Sequence, residues 1–501
     1  MGDIYRSYYT KNNNITSYMI SMIRPSESDR ILEPCGGSGM FIDALLRYDP
    51  DLKIDTCDIN PSAVQTMQNK YAVFDNVSVR ETDTLTDPLF DGFSKDGYYD
   101  KVIGNPPYGG WQEYGRRAEL KKKYNGFYVK ETYSLFLLRC ISLLKEKGIL
   151  SFIVPDTFLF LHMHKQLRKY LLQHTLIKEI AIFPSRFFPD VSFGYSNLCI
   201  ITLQRRSSAD ELRGNRFSVI KGLRSDDDLK RLSKNEMPGY AKCSASLQHE
   251  VLLNPDCAFF VGDEAINRAL VQCEASLADM AACVTGIYCG NNKRFLALAG
   301  SGKGLPADYP RIDVSQIDYE HMSNGPVNNS KRYVPIVKGC SSTGYIRTAD
   351  EWLIEWTEAA LDHYRNDKKA RFQNSQYYFR TGIALPMVKS SKIKAALMKE
   401  KVFDQSIVGI FPYDEKYLYY LLAYLNSSTA NRFIHTINPT ANNSANYLKK
   451  MPVHIPSKDE LAFIDDMVRT IIDTGDTERY HHEIDAFFES RLLSNSPVAP
   501  Q

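Results

Sequence analysis

Short apolar runs alternate with amphipathic stretches between residues 30 and 205. Each run is short enough for a buried strand, several end in a polar residue, and a helical pattern follows most of them. The runs lie at 31–32, 53–59, 77–82, 100–104, 148–155, 177–183 and 197–204. Strand–helix units of this kind predict an α/β fold, a doubly wound and mostly parallel sheet of seven strands that binds its ligand at the carboxyl edge.

The helices are predicted from apolar residues spaced three and four apart. Ile15, Met19, Met22 and Ile23 share one face of the first helix, and Asn14 or Thr16 is its predicted N-cap. Further helices are predicted at 40–48, 132–146 and 156–174. The last of these carries His162 and His164, which we expect to face solvent or to pack as neutral rings, because no other metal ligands accompany them.

The pattern changes after Arg206, and this change divides the chain. Residues 1–206 are predicted to form one domain, 207–244 a polar linker or excursion, 245–455 a second domain of mixed α/β type, and 456–501 terminal helices with a frayed tail. Strands of the second domain are predicted at 333–339 and 378–389.

Composition sets broad limits on this picture. The chain has 501 residues, 44% of them hydrophobic and 24% charged, as in ordinary globular proteins. No apolar run reaches membrane-spanning length and the N-terminus lacks a signal-peptide pattern, so we expect a cytoplasmic protein without membrane contact. The 10 cysteines are scattered and predict buried thiols rather than a metal site. With a net charge of only +2, any nucleic-acid binding must use local basic surfaces.

A glycine-containing turn follows the first strand, in the stretch Glu33-Pro34-Cys35-Gly36-Gly37-Ser38-Gly39. Gly37 and Gly39 allow the backbone to pass close to a ligand. The stretch lacks the third glycine of a dinucleotide fingerprint and the Gly-Lys-Ser/Thr of a phosphate loop. The carboxylate of Glu33 would face a cation better than a phosphate. S-adenosylmethionine (AdoMet), which carries an amine and a sulfonium, fits this turn.

Two later strands also end in aspartates. Asp58 lies about 20 residues after the glycines, where a carboxylate can accept hydrogen bonds from both ribose hydroxyls. Asp83 ends the third strand and could accept a proton from an adenine amino group. A role as a simple strand-end cap is an equal alternative for Asp83.

The fourth strand ends in Asn105-Pro106-Pro107-Tyr108. The Asn105 side-chain oxygen and the Pro106 carbonyl are two acceptors beside the aromatic face of Tyr108. That set suits an extruded nucleobase with an exocyclic amino group. The alternative is a proline-rich turn without a ligand.

The order and spacing of these motifs resemble the gamma class of N6-adenine DNA methyltransferases, the TaqI-like and Eco57I-like enzymes. In that class the donor motif precedes the catalytic motif, and a DNA-reading domain follows both. The resemblance covers residues 8–205. The Asn-Pro-Pro-Tyr tetrad is quite specific for amino-group methylation. It is less specific for DNA as the substrate, because some RNA and protein-glutamine methyltransferases share it.

The resemblance implies roles for single residues. Those expected to bind the cofactor AdoMet are Thr10, Glu33, Pro34, Gly37, Gly39, Asp58, Ile59, Asp83 and Thr84. Those expected at the catalytic centre are Asn105, Pro106, Tyr108 and Phe188, the last as a ring that stacks on the flipped base. The sequence departs from the family in having Lys11 after Thr10, where proline is usual. It also has Thr84 where an aromatic or apolar residue is frequent, which leaves Ile59 or Pro107 to pack on the adenine.

Basic and amide residues are expected to contact DNA. The loop at 109–127 carries five basic residues after the catalytic turn, and the stretch 284–295 resembles the opening of a target-recognition domain. The residues assigned to DNA are Arg116, Arg117, Lys121, Lys122, Lys123, Asn292, Lys293, Arg294 and Arg380. The alternative for each is an ordinary solvated surface position.

The resemblance therefore implies a site-specific DNA adenine N6-methyltransferase that flips its target base. Double-stranded DNA is the expected partner, and a restriction-modification or related bacterial system, with a separate endonuclease at the same site, is the expected setting. A methyltransferase acting on RNA or protein glutamine is one alternative. A non-catalytic DNA-binding subunit of a modification complex is the other.

Overall fold

The structure is a computed structural model. It describes residues 12–94, 96–108, 114–188, 197–206, 208, 210–259, 264–300, 306–328, 330–339, 343–346, 351–388, 391–438 and 442–494. The chain divides into two compact units, Met1–Val261 and Gly262–Gln501. Thr10 lies outside the described residues. Across the residues that are described, no helix combines the length and the apolar character needed to cross a bilayer.

The first unit is built on one large sheet. Its strands are β1 (Arg30–Glu33), β2 (Lys53–Asp58), β3 (Val77–Glu81), β4 (Tyr99–Gly104), β5 (Leu144–Pro155), β6 (Thr175–Pro184), β7 (Asn197–Arg205), β8 (Arg216–Lys221) and β9 (Lys242–Leu247). They lie in the order β3-β2-β1-β4-β5-β7-β6-β8-β9. β7 runs antiparallel to both of its neighbours and β9 antiparallel to β8, whereas the remaining pairs are parallel. The predicted mostly parallel α/β sheet is therefore confirmed.

The predicted number of seven strands is wrong, because the described residues alone form nine strands in this sheet. The two additional strands, β8 and β9, lie in and just after the segment 207–244, which the sequence predicts to be a linker or excursion. Phe217, Val219 and Ile220 on β8 are buried in the core of the first unit. This short apolar strand lies between charged stretches. The hydrophobic pattern of β8 is therefore lost when hydrophobicity is averaged over a segment longer than the strand.

The helices of the first unit connect these strands. They are α1 (Asn13–Ile23), α2 (Met40–Tyr48), α3 (Pro61–Tyr71), α4 (Pro88–Phe93), α5 (Tyr114–Lys123), α6 (Thr132–Leu143), α7 (Lys165–His174), α8 (Glu211–Gly214), α9 (Asp227–Leu232) and α10 (Gln248–Val251). The predicted helix at 156–174 is shorter in the structure, since two 3₁₀ turns, Asp156–Leu159 and His162–His164, precede α7.

The first helix buries the face predicted from its spacing, with Ile15, Met19 and Ile23 fully buried. Its predicted N-cap is wrong. The cap is Asn12, whose Oδ1 accepts hydrogen bonds from the backbone N–H groups of Asn14 and Ile15 at 2.9 and 3.4 Å. Three successive asparagines, Asn12 to Asn14, precede the apolar positions, and each of them is a plausible cap by residue type alone.

The second unit has three small sheets. Its strands are β10 (Ala275–Ser276), β11 (Ala281–Thr285), β12 (Leu296–Ala299), β13 (Arg311–Ile312), β14 (Tyr333–Val337), β15 (Trp352–Glu355), β16 (Gly382–Pro386), β17 (Ala396–Met398), β18 (Val402–Phe403), β19 (Ile407–Pro412) and β20 (Pro452–Val453). The sheets have the orders β11-β19-β16-β17, β13-β12-β15-β14-β18 and β10-β20. The predicted strand at 333–339 corresponds to β14, and the one at 378–389 shortens to β16.

The helices of the second unit are α11 (Glu264–Gln272), α12 (Leu277–Met280), α13 (Asn292–Phe295), α14 (Glu358–Asn366), α15 (Leu418–Asn426), α16 (Ser428–Ile437), α17 (Ala445–Leu448), α18 (Lys458–Thr474) and α19 (His481–Leu492). The terminal helices pack on α15. The rings of Tyr420 and Tyr424 each lie 5.3 Å from that of Phe488 on α19. These helices are thus part of the core of the second unit.

Candidate active site

Three parallel strands, β2, β1 and β4, lie side by side in the large sheet. Their carboxyl ends therefore meet at one edge. Glu33 ends β1, Asp58 ends β2, and Asn105 follows the end of β4. The predicted donor residues and the predicted catalytic turn are thus brought to the same edge by strand order alone.

Glu33 is a buried carboxylate with an unsatisfied oxygen. Only 2% of the residue is exposed, and its Oε2 atom has no hydrogen-bond partner among the described residues. Burial, together with the nearby charges of Asp58 and Asp43, raises the pKa of Glu33 well above its usual range. A buried charge of this kind is costly unless a cation or a donor compensates it. The site therefore fits a ligand that brings a positive group, as the amine or sulfonium of AdoMet does.

Asp58 fixes the glycine turn. Its Oδ2 accepts a hydrogen bond from the Gly37 N–H and its Oδ1 one from the Asn60 N–H, both at 2.8 Å. Gly37 and Gly39 have φ angles of 56° and 80°, in the left-handed region that favours glycine. A Cβ atom on Gly39 would lie 2.2 Å from the Tyr71 hydroxyl oxygen. The glycine turn is therefore closely packed against Tyr71. The Asp58 carboxylate, which is predicted to bind ribose, also holds this turn in place.

The end of β3 is tied to the same loop. The Thr84 hydroxyl is buried and donates a hydrogen bond to the Pro34 carbonyl at 2.6 Å. Thr84 thus joins two loops in the structure and does not face the solvent. Asp83 accepts a hydrogen bond from the Leu85 N–H at 3.1 Å through Oδ1. Ile59, predicted as an apolar neighbour of the adenine, is 38% exposed just beyond β2.

Helix α5 docks on this loop through its basic residues. The Arg116 guanidinium lies 3.0 Å from Asp83 Oδ2, and Lys123 Nζ lies 3.0 Å from Asp91. The Tyr124 hydroxyl, one residue after α5, donates to the Leu85 carbonyl at 2.8 Å. Two of the cations assigned to DNA phosphates are thus engaged by carboxylates of their own unit. Of the others on this helix, Lys121 and Lys122 are exposed and Arg117 is half-buried.

The predicted catalytic turn lies against the glycine turn that follows β1. A Cβ atom on Gly104 would be 3.4 Å from Pro34 Cδ, and the Cys35 thiol donates to the Asn105 carbonyl at 3.5 Å. On its other side the turn is held by α6, because the Thr132 hydroxyl donates to the Pro107 carbonyl at 2.7 Å. The turn is therefore fixed through its carbonyl groups.

The two aromatic residues predicted to stack on a base are covered in this structure. Tyr108 is 1% exposed within the core of the first unit. Phe188 is 3% exposed, and its ring is stacked on that of Phe183 with centroids 6.4 Å apart. Neither ring presents an open face.

Residues that the sequence did not single out lie near this edge. Asp156 directly follows β5, and Asn197 Nδ2 donates to its Oδ2 at 3.3 Å. Burial raises the pKa of Asp156 to about 6. The signal that identified Glu33 and Asp58, a polar residue at the end of a buried strand, was present here too. His164, by contrast, was expected from the sequence to face solvent or to pack as a neutral ring; it is buried, and its Nε2 lies 2.7 Å from Glu131 Oε2.

The residues assigned to DNA in the second unit contact their own neighbours. Asn292 Oδ1 accepts a hydrogen bond from the Cys289 thiol at 3.2 Å. Lys293 Nζ lies 3.7 Å from Asp308, and the Arg294 guanidinium lies 5.0 Å from the Phe295 ring centroid. Arg380 is exposed, with its guanidinium 5.7 Å from the Tyr377 ring centroid.

The chain is similar in sequence to known methylases and methyltransferases. Residues 46–188 match the family of Eco57I restriction-modification methylases, which confirms the resemblance to the Eco57I-like enzymes. The chain is 24% identical to the Type II methyltransferase M.AccI of Acinetobacter calcoaceticus over 274 residues, 53% of this chain and 48% of that protein. It is 25% identical to the adenine-specific methyltransferase BrxX of Escherichia coli O9:H4 (strain HS) over 362 residues, 71% of this chain and 28% of that protein.

The chain thus spans about half, or less, of the length of these two relatives. Among solved structures, the Type IIL restriction-modification enzyme MmeI in complex with DNA has a TM-score of 0.58 and 11% identity. The alignment covers 97% of this chain and 73% of MmeI. At this level of identity the similarity concerns the fold.

Proposed function

We propose that this chain is a DNA methyltransferase that transfers a methyl group from AdoMet to N6 of an adenine at a specific site in duplex DNA. The observation that carries the proposal is that Glu33 and the catalytic turn lie at the same edge of the sheet. A buried carboxylate with an unsatisfied oxygen lies one residue from Pro34, and Pro34 packs on the end of β4. A cationic donor and an amino-bearing acceptor would meet there.

The donor side is assigned to residues of three strand ends. Glu33 would balance the positive charge of the ligand, and Asp58 would accept hydrogen bonds from the ribose hydroxyls. Asp83 would accept from the adenine amino group, with Ile59 or Pro107 packing on the ring. Bound AdoMet would supply an electrophilic methyl group.

The acceptor side is assigned to the catalytic turn. Asn105 Oδ1 and the Pro106 carbonyl would accept the two hydrogens of the target amino group. This draws the nitrogen lone pair out of conjugation with the base and directs it at the methyl group. Acceptors that are fixed in advance need no reorganisation during the reaction, which is the source of most of the expected rate enhancement.

Entry of the base requires the two aromatic side chains to become exposed. Tyr108 and Phe188 are both buried, so a flipped adenine would have to expose their faces before stacking on them. Extrusion of the base from the duplex costs a few kcal/mol, and stacking offsets part of that cost.

The second unit is proposed to read the DNA sequence, and a separate endonuclease to cut the same site in a restriction-modification or related system. The similarity to restriction-modification enzymes supports this setting, and MmeI was solved with DNA. Lys293, Arg294 and Arg380 are the candidate contacts in this unit, with Asn292 as a candidate for base edges.

The test is a methyl-transfer assay with tritiated AdoMet. Heterologous duplex DNA, single-stranded DNA, total RNA and a protein extract are offered separately, and the labelled product is digested and identified by mass spectrometry. We expect N6-methyldeoxyadenosine from duplex DNA. Label confined to RNA or to glutamine, or a methylated cytosine, would overturn the proposal. An Asn105→Ala variant, assayed in parallel, controls for contaminating methylases.

A further inference from the structure

The catalytic turn has an unusual shortage of backbone donors. Pro106 and Pro107 have no N–H group, so the backbone of these two residues can form hydrogen bonds only through its carbonyls. The Asn105 carbonyl accepts from the Cys35 thiol at 3.5 Å, which is a weak donor. The Pro107 carbonyl accepts from the Thr132 hydroxyl at 2.7 Å, a distance typical of a good O–H···O bond. Thr132 therefore provides the stronger of these two anchors.

Thr132 is itself held in place. It is the first residue of α6 and is only 7% exposed. Glu131, the residue before it, lies 2.7 Å from the Nε2 atom of His164, whose side chain is fully buried. The Ser134 hydroxyl donates to the Glu131 carbonyl at 2.6 Å. The start of α6 is thus fixed between the catalytic turn and the segment that follows β5.

From this chain of contacts we propose that Thr132 is a positioning residue for methyl transfer, supported by the Glu131–His164 pair. The inference rests on the function proposed above. The hydroxyl holds the Pro107 carbonyl and so fixes the Pro107–Tyr108 peptide, which directly follows the peptide that carries the Pro106 carbonyl. Thr132 thereby acts on the direction of the two acceptors through the backbone of the turn.

This role predicts a specific kinetic signature. A small displacement of groups that must align with a reacting atom can lower the rate by about a hundredfold. We expect Thr132→Val to lower kcat about tenfold to a hundredfold, with the Kd for AdoMet and the KM for DNA unchanged. Thr132→Ser restores the hydroxyl and is expected to recover most of the wild-type kcat.

A matched control exists in the same unit. Thr175, the first residue of β6, is fully buried and donates its hydroxyl to the Leu171 carbonyl at 2.7 Å. β6 runs parallel to β8 and antiparallel to β7, and Thr175 lies at its amino end. Thr175→Val removes an equivalent hydrogen bond away from the catalytic edge, so we expect wild-type kcat.

The experiment measures kcat and KM on a duplex that contains the mapped methylation site, for wild type, T132V, T132S and T175V. Thermal melting verifies folding, and Thr132→Ala replaces T132V if that variant does not fold. Two further variants test whether the Glu131–His164 pair supports Thr132. His164→Leu is expected to lower kcat about threefold. His164→Gln keeps a donor for Glu131, and its kcat is expected to remain near that of the wild type.

The outcomes separate the two levels of the proposal. A wild-type protein that methylates no DNA would overturn the proposed function itself. An active wild type with equal kcat in T132V and T175V would overturn only the positioning role. A T132S variant as slow as T132V would also overturn that role, because the hydroxyl would then not be the operative group.

Discussion

The carboxyl edge of the first unit and the turn around α13 in the second unit were both assigned to ligand binding, and they differ in how their residues are held. At the sheet edge, Glu33 and the turn at Asn105 come from separate strands that the parallel order places side by side. Around α13, Lys293 pairs with Asp308 and Arg294 lies on Phe295, its neighbour in sequence. Sheet topology gathers distant residues into a site, whereas a loop provides no such constraint.

This difference implies that substitutions at the sheet edge have large and separable effects, whereas those in the second unit have small ones. The following experiments test that ranking, beginning with the largest expected effect.

Asn105→Ala should lower the methyl-transfer rate roughly 10²- to 10³-fold, the usual loss when one preorganised hydrogen-bonding group at a reacting centre is removed. AdoMet binding, measured by calorimetry, should persist. Asn69→Ala, at an exposed position on α3, is the control and should be as active as wild type. Wild-type turnover in Asn105→Ala would show that the turn is not catalytic.

Glu33→Gln should weaken AdoMet binding about 30-fold, which corresponds to roughly 2 kcal/mol for truncating a buried charged partner. Because the pKa of Glu33 is raised, the carboxylate is protonated below that value and ionised above it. Affinity for a cation should therefore rise as pH rises through this pKa in the wild type and stay flat in Glu33→Gln.

Glu81→Gln, at the exposed end of β3, is the matched control for this measurement. The same pH profile in wild type and Glu33→Gln would contradict the role assigned to the carboxylate.

Arg116→Gln should tighten AdoMet binding about three- to fivefold, in line with the energy of a partly exposed ion pair. The change removes a cation beside a cationic ligand and releases Asp83 Oδ2. The salt dependence of DNA binding should not change. Lys53→Gln, at the exposed start of β2, is the control. If Arg116→Gln instead leaves AdoMet affinity unaltered and lowers the salt slope by about one, Arg116 contacts a phosphate.

Arg380→Ala should weaken DNA binding only about threefold and reduce the slope of log K against log salt concentration by about one. Lys416→Ala, another exposed cation of the second unit, pairs with Asp414 and serves as the control. An effect on AdoMet affinity or on kcat would show that Arg380 serves a different purpose.

The sequence predicted the sheet edge well because the relevant signal is local. A polar residue at the end of a buried run identifies a strand end, and parallel order then determines where it points. The contacts between these residues were not predictable in this way. That Asp58 holds Gly37 and that Arg116 pairs with Asp83 depends on three-dimensional neighbours 21 and 33 positions apart in the chain.

Two other groups of features were not predicted from the sequence, and the reasons can be identified. β8 and β9 extend the sheet, yet the short apolar pattern of β8 lies among charged residues, and β9 has no buried residue to form such a pattern. Asp156 was interpreted as the start of a long helix, because the apolar periodicity of 156–174 continues through two 3₁₀ turns into α7. Thr132 offered no sequence signal at all, since a threonine at a helix start is ordinary.

The central claim is that donor and acceptor meet at the edge formed by β1, β2 and β4. The most direct test is a crystal structure of the protein with S-adenosylhomocysteine. We predict its amino group at Glu33, its ribose at Asp58 and its sulfur facing the side of Asn105 where a base would enter. A ligand bound elsewhere, or with its sulfur directed away from Asn105, would contradict the account.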